Sequence, residues 1–342
     1  MNITQRNFFR LLRAGAFGTE EQIEPMSAWK WRQVLQWAQA LGLAPLLYDG
    51  QEACREQFFM RLTDDLTRQW QEATLQAEQR YRQASSEVAE LLATLGERQL
   101  RPMLMEPWTS GTLFPRPDHH HVGAVNIYFP FATQGNKADE WAKANGSKAD
   151  DSRKHLLRYQ WKSLLVEHRQ RMLTLSNKLN NHTLQNIIEQ ERLDGGTTHV
   201  VIAGQRIETV APTLTMLVTL LSIVKATLHE GIQLWQVVDL GRQLRTQGDR
   251  VDFVKLQGWI ERLHFTRMAL LVGQMLTGLL GFTPDEIPFM PSPAGAPDLD
   301  NITEGLFRDS SRRPTKYLRY CPGESLSSVV ASITHSLGNV QE

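Results

Sequence analysis

The stretch LRPMLMEPWTSGTLFPRPDHHHVGAVNIYF, Leu100 to Phe129, most constrains what this chain can fold into, because it interrupts long helical periodicities with two short apolar runs separated by turn chemistry. Pro102 to Met105 is apolar and short, Gly111, Pro115 and Pro117 mark turns, and Val122 to Phe129 is again too short for an ordinary helix. This pattern predicts strand, loop, strand in the middle of a mainly helical protein.

These residues resemble the signature of uncharacterised bacterial nucleotidyltransferase-fold proteins, roughly L-L-K-G, a spacer, then Y-P-x-P-x-x-R-x-x-G-D-I-D-x-Y. Phe114, Pro115 and Pro117 fall on its Y-P-x-P, and Gly123, Val125, Ile127 and Tyr128 on the frame of its G-D-I-D-x-Y, without a gap. The reactive positions differ. Glu106 stands where the family has Lys, Pro107 where it has Gly, His120 where it has Arg, and Ala124 and Asn126 where it has the two Asp. Leu164 to Arg169 resembles the family's V-E-x-H-like strand, so Glu167 is the one carboxylate of three that remains.

The chemistry at stake follows from strand geometry. Side chains at i and i+2 share a face, so an Asp-x-Asp pair presents two carboxylates side by side. Such a pair holds Mg²⁺, which neutralises charge and orients the attacking and leaving oxygens in phosphoryl transfer. Ala124 offers no oxygen and Asn126 a neutral one, so a single carboxylate makes a poor Mg²⁺ site. The resemblance therefore implies the fold with a vestigial or ligand-binding cleft at Glu106, His120, Ala124, Asn126 and Glu167, with no catalytic residue, metal ligand or cofactor assigned.

The chain has 342 residues, 37 basic against 37 acidic, and 41% hydrophobic residues, enough for a sizeable core in one large domain or two smaller ones. A net charge of zero suggests no general attraction to nucleic acid or to an anionic membrane. Cys54 and Cys321 form no CxxC or Cys/His pattern, which fits a reducing cytoplasm. Arg6, Arg10 and Arg13 interrupt the N-terminal apolar residues where a signal peptide would have an unbroken core, and the run from Leu214 to Leu228 falls short of the ~20 residues of a bilayer span.

Helices are predicted over Thr4–Ala14 and Ala28–Leu41, closed by Gly15 and Gly42. One long helix is expected from about Gln51 to Leu95, on the stripe Phe58, Leu62, Leu66, Trp70, Ala73, Ala77, Tyr81, Ala84, Val88, Leu91 and Leu95. Ala132 to Arg153 reads as a short helix flanked by solvated loop, Leu156 to Arg169 as strands, Asn180 to Leu193 as a helix, and Thr198 to Val210 as a hairpin about Ala203-Gly204-Gln205. Four more helices follow from Thr213 to Leu280, then a Pro-rich linker and a basic tail. Within them Gly231, Ile232, Leu234, Gln236 and Asp239 resemble the family's G-I-x-L-R-Q-x-x-D, with Trp235 in place of Arg. The tail resembles the C-terminal strap of longer family members.

Other chemistry lacks a handle: there is no GxxxxGK[ST], GxGxxG after a strand, HExxH or GxSxG. His119, His120 and His121 read as solvated loop histidines, with at most two converging on a metal. Trp29, Trp31, Trp37 and Trp235 read as core. The resulting expectation is an α+β protein with a nucleotidyltransferase-like mixed sheet flanked by helices, divided as 1–98 (N-terminal helical subdomain), 99–211 (α/β core) and 212–342 (C-terminal helical domain and tail). Its function is expected to be silent binding of a nucleotide-like ligand or a protein partner. The alternative is an active nucleotidyltransferase, with Mg²⁺, on a rebuilt site of Glu106, Asn126 and Glu167.

Overall fold

The computed structural model describes residues 1–229 and 231–289. The Cys321 region, most of the Pro-rich linker and the basic tail lie outside the described residues. The fold is α+β, with a mixed sheet flanked by helices, and it parts into two units: Met1–Leu75 with the chain from Thr219 onward, and Gln76–Val218. The sequence reading divided the chain at 98/99 and 211/212 instead. Two helices, α4 and α8, each contribute to both units.

In the first unit, α1 (Ile3–Phe17) begins with a capping box between Asn2 and Gln5, and α2 (Ala28–Ala40) buries Trp31, Val34, Leu35 and Ala38. Trp29 is exposed rather than core, because it lies off that stripe. Gly15 does not end α1. The helix runs to Phe17 and is closed by Gly18 at φ 68°, while a Cβ on Gly15 would stand 1.8 Å from the Leu46 carbonyl oxygen of α3 (Ala44–Cys54). That glycine serves close helix packing, as does Gly50 against Leu11.

The expected long helix is broken. The chain leaves α3 at Cys54 and re-enters helix at α4 (Asp64–Glu97), where Thr63 accepts from the Leu66 N–H and Asp64 and Asp65 place negative charge in the first turn. Between them Gln57 bonds the Ile23 N–H and the Glu21 carbonyl, and Phe58 is exposed rather than on the stripe. The unit closes with α9 (Leu234–Gln247), α10 (Phe253–Arg262), capped by Asp252, and α11 (Thr266–Leu280), ended by Gly281 at φ 71°.

The second unit holds a five-stranded sheet in the order β1 (Met103–Leu104), β2 (Val125–Tyr128), β5 (Leu164–Arg169), β4 (Leu156–Trp161), β3 (Ser147–Asp150). Only β2 and β5 run parallel. Strand β3 occupies part of the segment expected as solvated loop, and all four of its residues are exposed, which is why no hydrophobic pattern marks it. Alternation sets the faces. Val125, Ile127, Leu157, Tyr159, Trp161, Leu164 and Val166 form one core with Val88, Leu91 and Leu95 of α4 and Ala138 and Ala142 of α6 (Ala132–Asn145). The expected hairpin is β6 (Thr197–Ile202) and β7 (Gln205–Val210), with Ala203 and Gly204 both at positive φ as its two-residue turn requires. It follows α7 (Lys178–Leu193) and leads into α8 (Pro212–His229). None of the helices among the described residues is long and apolar enough to cross a membrane.

Candidate functional site

The face of the sheet opposite this core carries the polar residues. In register, Asn126 of β2 stands beside Glu167 of β5, Glu167 beside Arg158 of β4, and Arg158 beside Asp150 of β3, so one polar row crosses four strands. Of the residues the sequence singled out, the register thus brings Asn126 and Glu167 side by side. Ala124 is not on the strand. Strand β1 makes its last bond from the Met105 N–H to the Asn126 carbonyl and the chain then turns at Pro107, which has no N–H to offer, while the Gly123 carbonyl accepts from the Trp108 indole.

Glu167 is 4% exposed, and its two oxygens are both taken by arginines. Arg158 donates from Nε at 2.8 Å and from Nη2 to Oε1, and Arg169 donates from Nη2 to Oε2. The Arg169 Nε donates in turn to Asn126 Oδ1 at 2.9 Å, and the Asn126 amide donates to the Glu106 main-chain carbonyl at 2.6 Å. Burial pushes the Glu167 carboxyl up, but the Arg169 charge and the Arg158 hydrogen bonds outweigh it and hold the group below the usual carboxylate range.

The Glu106 carboxylate accepts from the Ser110 N–H at 2.9 Å and from its hydroxyl, and so belongs to the short helix α5 (Trp108–Gly111). His120 packs on the Phe114 ring at 5.0 Å, beside Gly111. The histidine run is not solvated: His119 and His120 are buried. His119 ends a 3₁₀ turn with its Nε2 3.0 Å from Glu78 on α4, a carboxylate that Arg116 also binds at 2.7 Å. Burial, with a contribution from His120, pushes His121 down to about 4. Among the described residues, no group of three or more His, Cys, Asp or Glu is arranged to hold a metal ion.

The sequence reading missed the two arginines. Arg169 was signalled by its position two residues after Glu167, which puts both on one face, but Arg158 becomes visible only through the pairing register. A divalent ion does not fit this donor set. At ~4 Å and the effective dielectric of a protein surface, unit charges interact by about 4 kcal/mol, so each guanidinium would repel a divalent ion by about 8 kcal/mol, against one carboxylate already neutralised.

No curated protein and no solved structure matches the chain. The model of a family described as uncharacterised nucleotidyltransferases matches residues 27–281, a span that includes every residue of the polar row. The chain belongs to this uncharacterised nucleotidyltransferase family.

Proposed function

We propose that this chain is a divergent, catalytically silent family member that acts by binding a nucleotide-like ligand. The observation that carries the reading is the Arg169 guanidinium lying between Asn126 Oδ1 and Glu167 Oε2, at positions where the resemblance has carboxylates that would hold a metal ion. A fixed monocation there satisfies the same acceptors and leaves no ligand for Mg²⁺. Loss of the metal alone removes several kcal/mol of transition-state stabilisation, and each 1.36 kcal/mol is tenfold in rate. Glu106 adds a negative charge at the position where the resemblance has a lysine.

The test is incubation of the full chain with each nucleoside triphosphate and Mg²⁺ or Mn²⁺, followed by assay of pyrophosphate and of protein mass. The expected result is neither pyrophosphate nor mass gain. Turnover that disappears in Glu167→Gln overturns the reading in favour of a rebuilt site of Glu106, Asn126 and Glu167. A silent protein whose melting temperature no nucleotide raises would instead point to a protein partner.

A further inference from the structure

We propose that Arg158 and Arg169 form an oxyanion site that takes a condensed phosphate chain directly, without a divalent metal. The inference rests on the silent-site reading for its location and goes beyond it in naming the ligand chemistry and the residues that bind it.

Two cations serve one carboxylate here. Each guanidinium is anchored through Nε and Nη2: Arg158 twice on Glu167, and Arg169 on Asn126 and Glu167. Neither Nη1 is engaged by any described residue, although the side chains remain 42% and 25% exposed. A guanidinium carries five N–H donors in a fixed fork, so each arginine keeps at least two donors for an external acceptor. Glu167 consumes one of the two charges. Asp150 bonds the Ser152 N–H and lies near Arg153 as well as Arg158, and the Glu106 carboxylate is held by Ser110, so it is the spare N–H donors of the two arginines that mark the pair as an oxyanion site. Held at two points each, the arginines lose little freedom on binding, which favours charge-assisted bonds to phosphate oxygens.

Condensed phosphate is common to nucleoside triphosphates and inorganic triphosphate, and affinity separates the two sources. Titration calorimetry of the full chain with inorganic triphosphate in EDTA should show binding that excess Mg²⁺ weakens at least ~5-fold, since the metal competes for the same oxygens, and that salt also weakens. Arg158→Gln should lower affinity at least ~10-fold, whereas Lys178→Gln, an exposed charge on α7, should leave it unchanged. ATP binding as tightly as triphosphate assigns the site to the phosphates alone, and tighter binding adds the nucleoside. No heat in EDTA, binding only with Mg²⁺, or equal loss in both variants overturns the proposal. Should Arg158→Gln fail to fold, the EDTA and Mg²⁺ titrations of the wild type still decide. Pyrophosphate release with intact metal-free binding would sink the silent reading and leave this one standing.

Discussion

The two faces of the five-stranded sheet are built from alternate residues of the same strands and obey opposite rules. On the core face Val125, Ile127, Leu157, Tyr159 and Val166 are buried against α4 and α6, and such side chains each contribute ~1.5–3 kcal/mol on burial. Its polar member, His168, is fully engaged: Nε2 lies 2.9 Å from the Tyr159 hydroxyl and Nδ1 3.2 Å from Asp139. A neutral ring that donates to Asp139 accepts the Tyr159 proton. On the other face Asn126, Glu167, Arg158 and Asp150 form a row whose members bond to one another or to main chain, with guanidinium groups half open to solvent. Alternation therefore lets the chemical residues change while the fold's residues stay.

The largest test of this division is Tyr159→Ala, which empties a core position and removes the hydroxyl from His168. It should cost ~3–5 kcal/mol, the range for aromatic truncation in a core, and lower the melting midpoint of the second unit by many degrees. A loss no greater than that of Gln160→Ala, its neighbour on the other face, would mean the two faces are not distinct in stability.

Acid should act in two stages, first on the buried histidines and then on the polar face of the sheet. Burial, opposed by Asp139, holds His168 below its ordinary 6.5, and His121 lies at about 4. Below pH 6.5 the unfolded chain takes up protons that the folded chain refuses, so stability falls as pH drops from 6.5 toward 4, by up to about 3 kcal/mol from His121 alone. Glu167 has the opposite starting charge and a lower window. Its depressed carboxyl contributes stability above the unfolded value of 4.5 and loses it as pH falls through the folded value. Urea midpoints between pH 7.5 and 3 should thus decline in two stages, with the upper one flattened in His121→Gln. A single decline beginning below 4.5 would break the assignment of the upper stage to histidine.

Much of the core face was legible in sequence, and little of the site was. The spacing of Val125 and Ile127 and the hairpin at Ala203 and Gly204 follow from period-two alternation and turn chemistry, which are local signals, whereas the placing of Glu167 on a strand near Asn126 comes only from the family resemblance. The break before Asp64 is signalled by Thr63-Asp64-Asp65, but the apolar stripe runs through it by coincidence of spacing and masks it. Arg158 was not readable as part of the site, because it lies nine residues from Glu167 and meets it only once the hairpin closes. Nor was the burial of His119, which depends on Glu78 of a distant helix.

Glu167→Gln probes the open face directly. It leaves two guanidiniums facing a neutral amide, and because both arginines are partly solvated the cost should be about 1–2 kcal/mol, below the 3–5 of a fully buried pair. Chemical denaturation measures it. A cost near zero would mean that solvent already screens the three charges, and that the arginines are not held in place by Glu167.

The smallest stability change should come from Ala124→Asp combined with Asn126→Asp, and it gives the sharpest reading of the site. The substitution at 126 loses the amide bond to the Glu106 carbonyl, worth about 1 kcal/mol, but the new carboxylate gains an ion pair with Arg169, so the net change should stay within about 1 kcal/mol. Restoring carboxylates in this way should nonetheless not restore a metal site. Arg169 already donates to position 126 and to Glu167, and a stronger acceptor at 126 holds it there more firmly. Calorimetry with Mg²⁺ and Mn²⁺ should therefore show no binding in the double variant, and binding only when Arg169→Ala is added, because that step removes the competing cation and frees Glu167 Oε2. Metal binding by the double variant alone would mean that Arg169 yields its place readily, and the argument for a silent site would lose its main support.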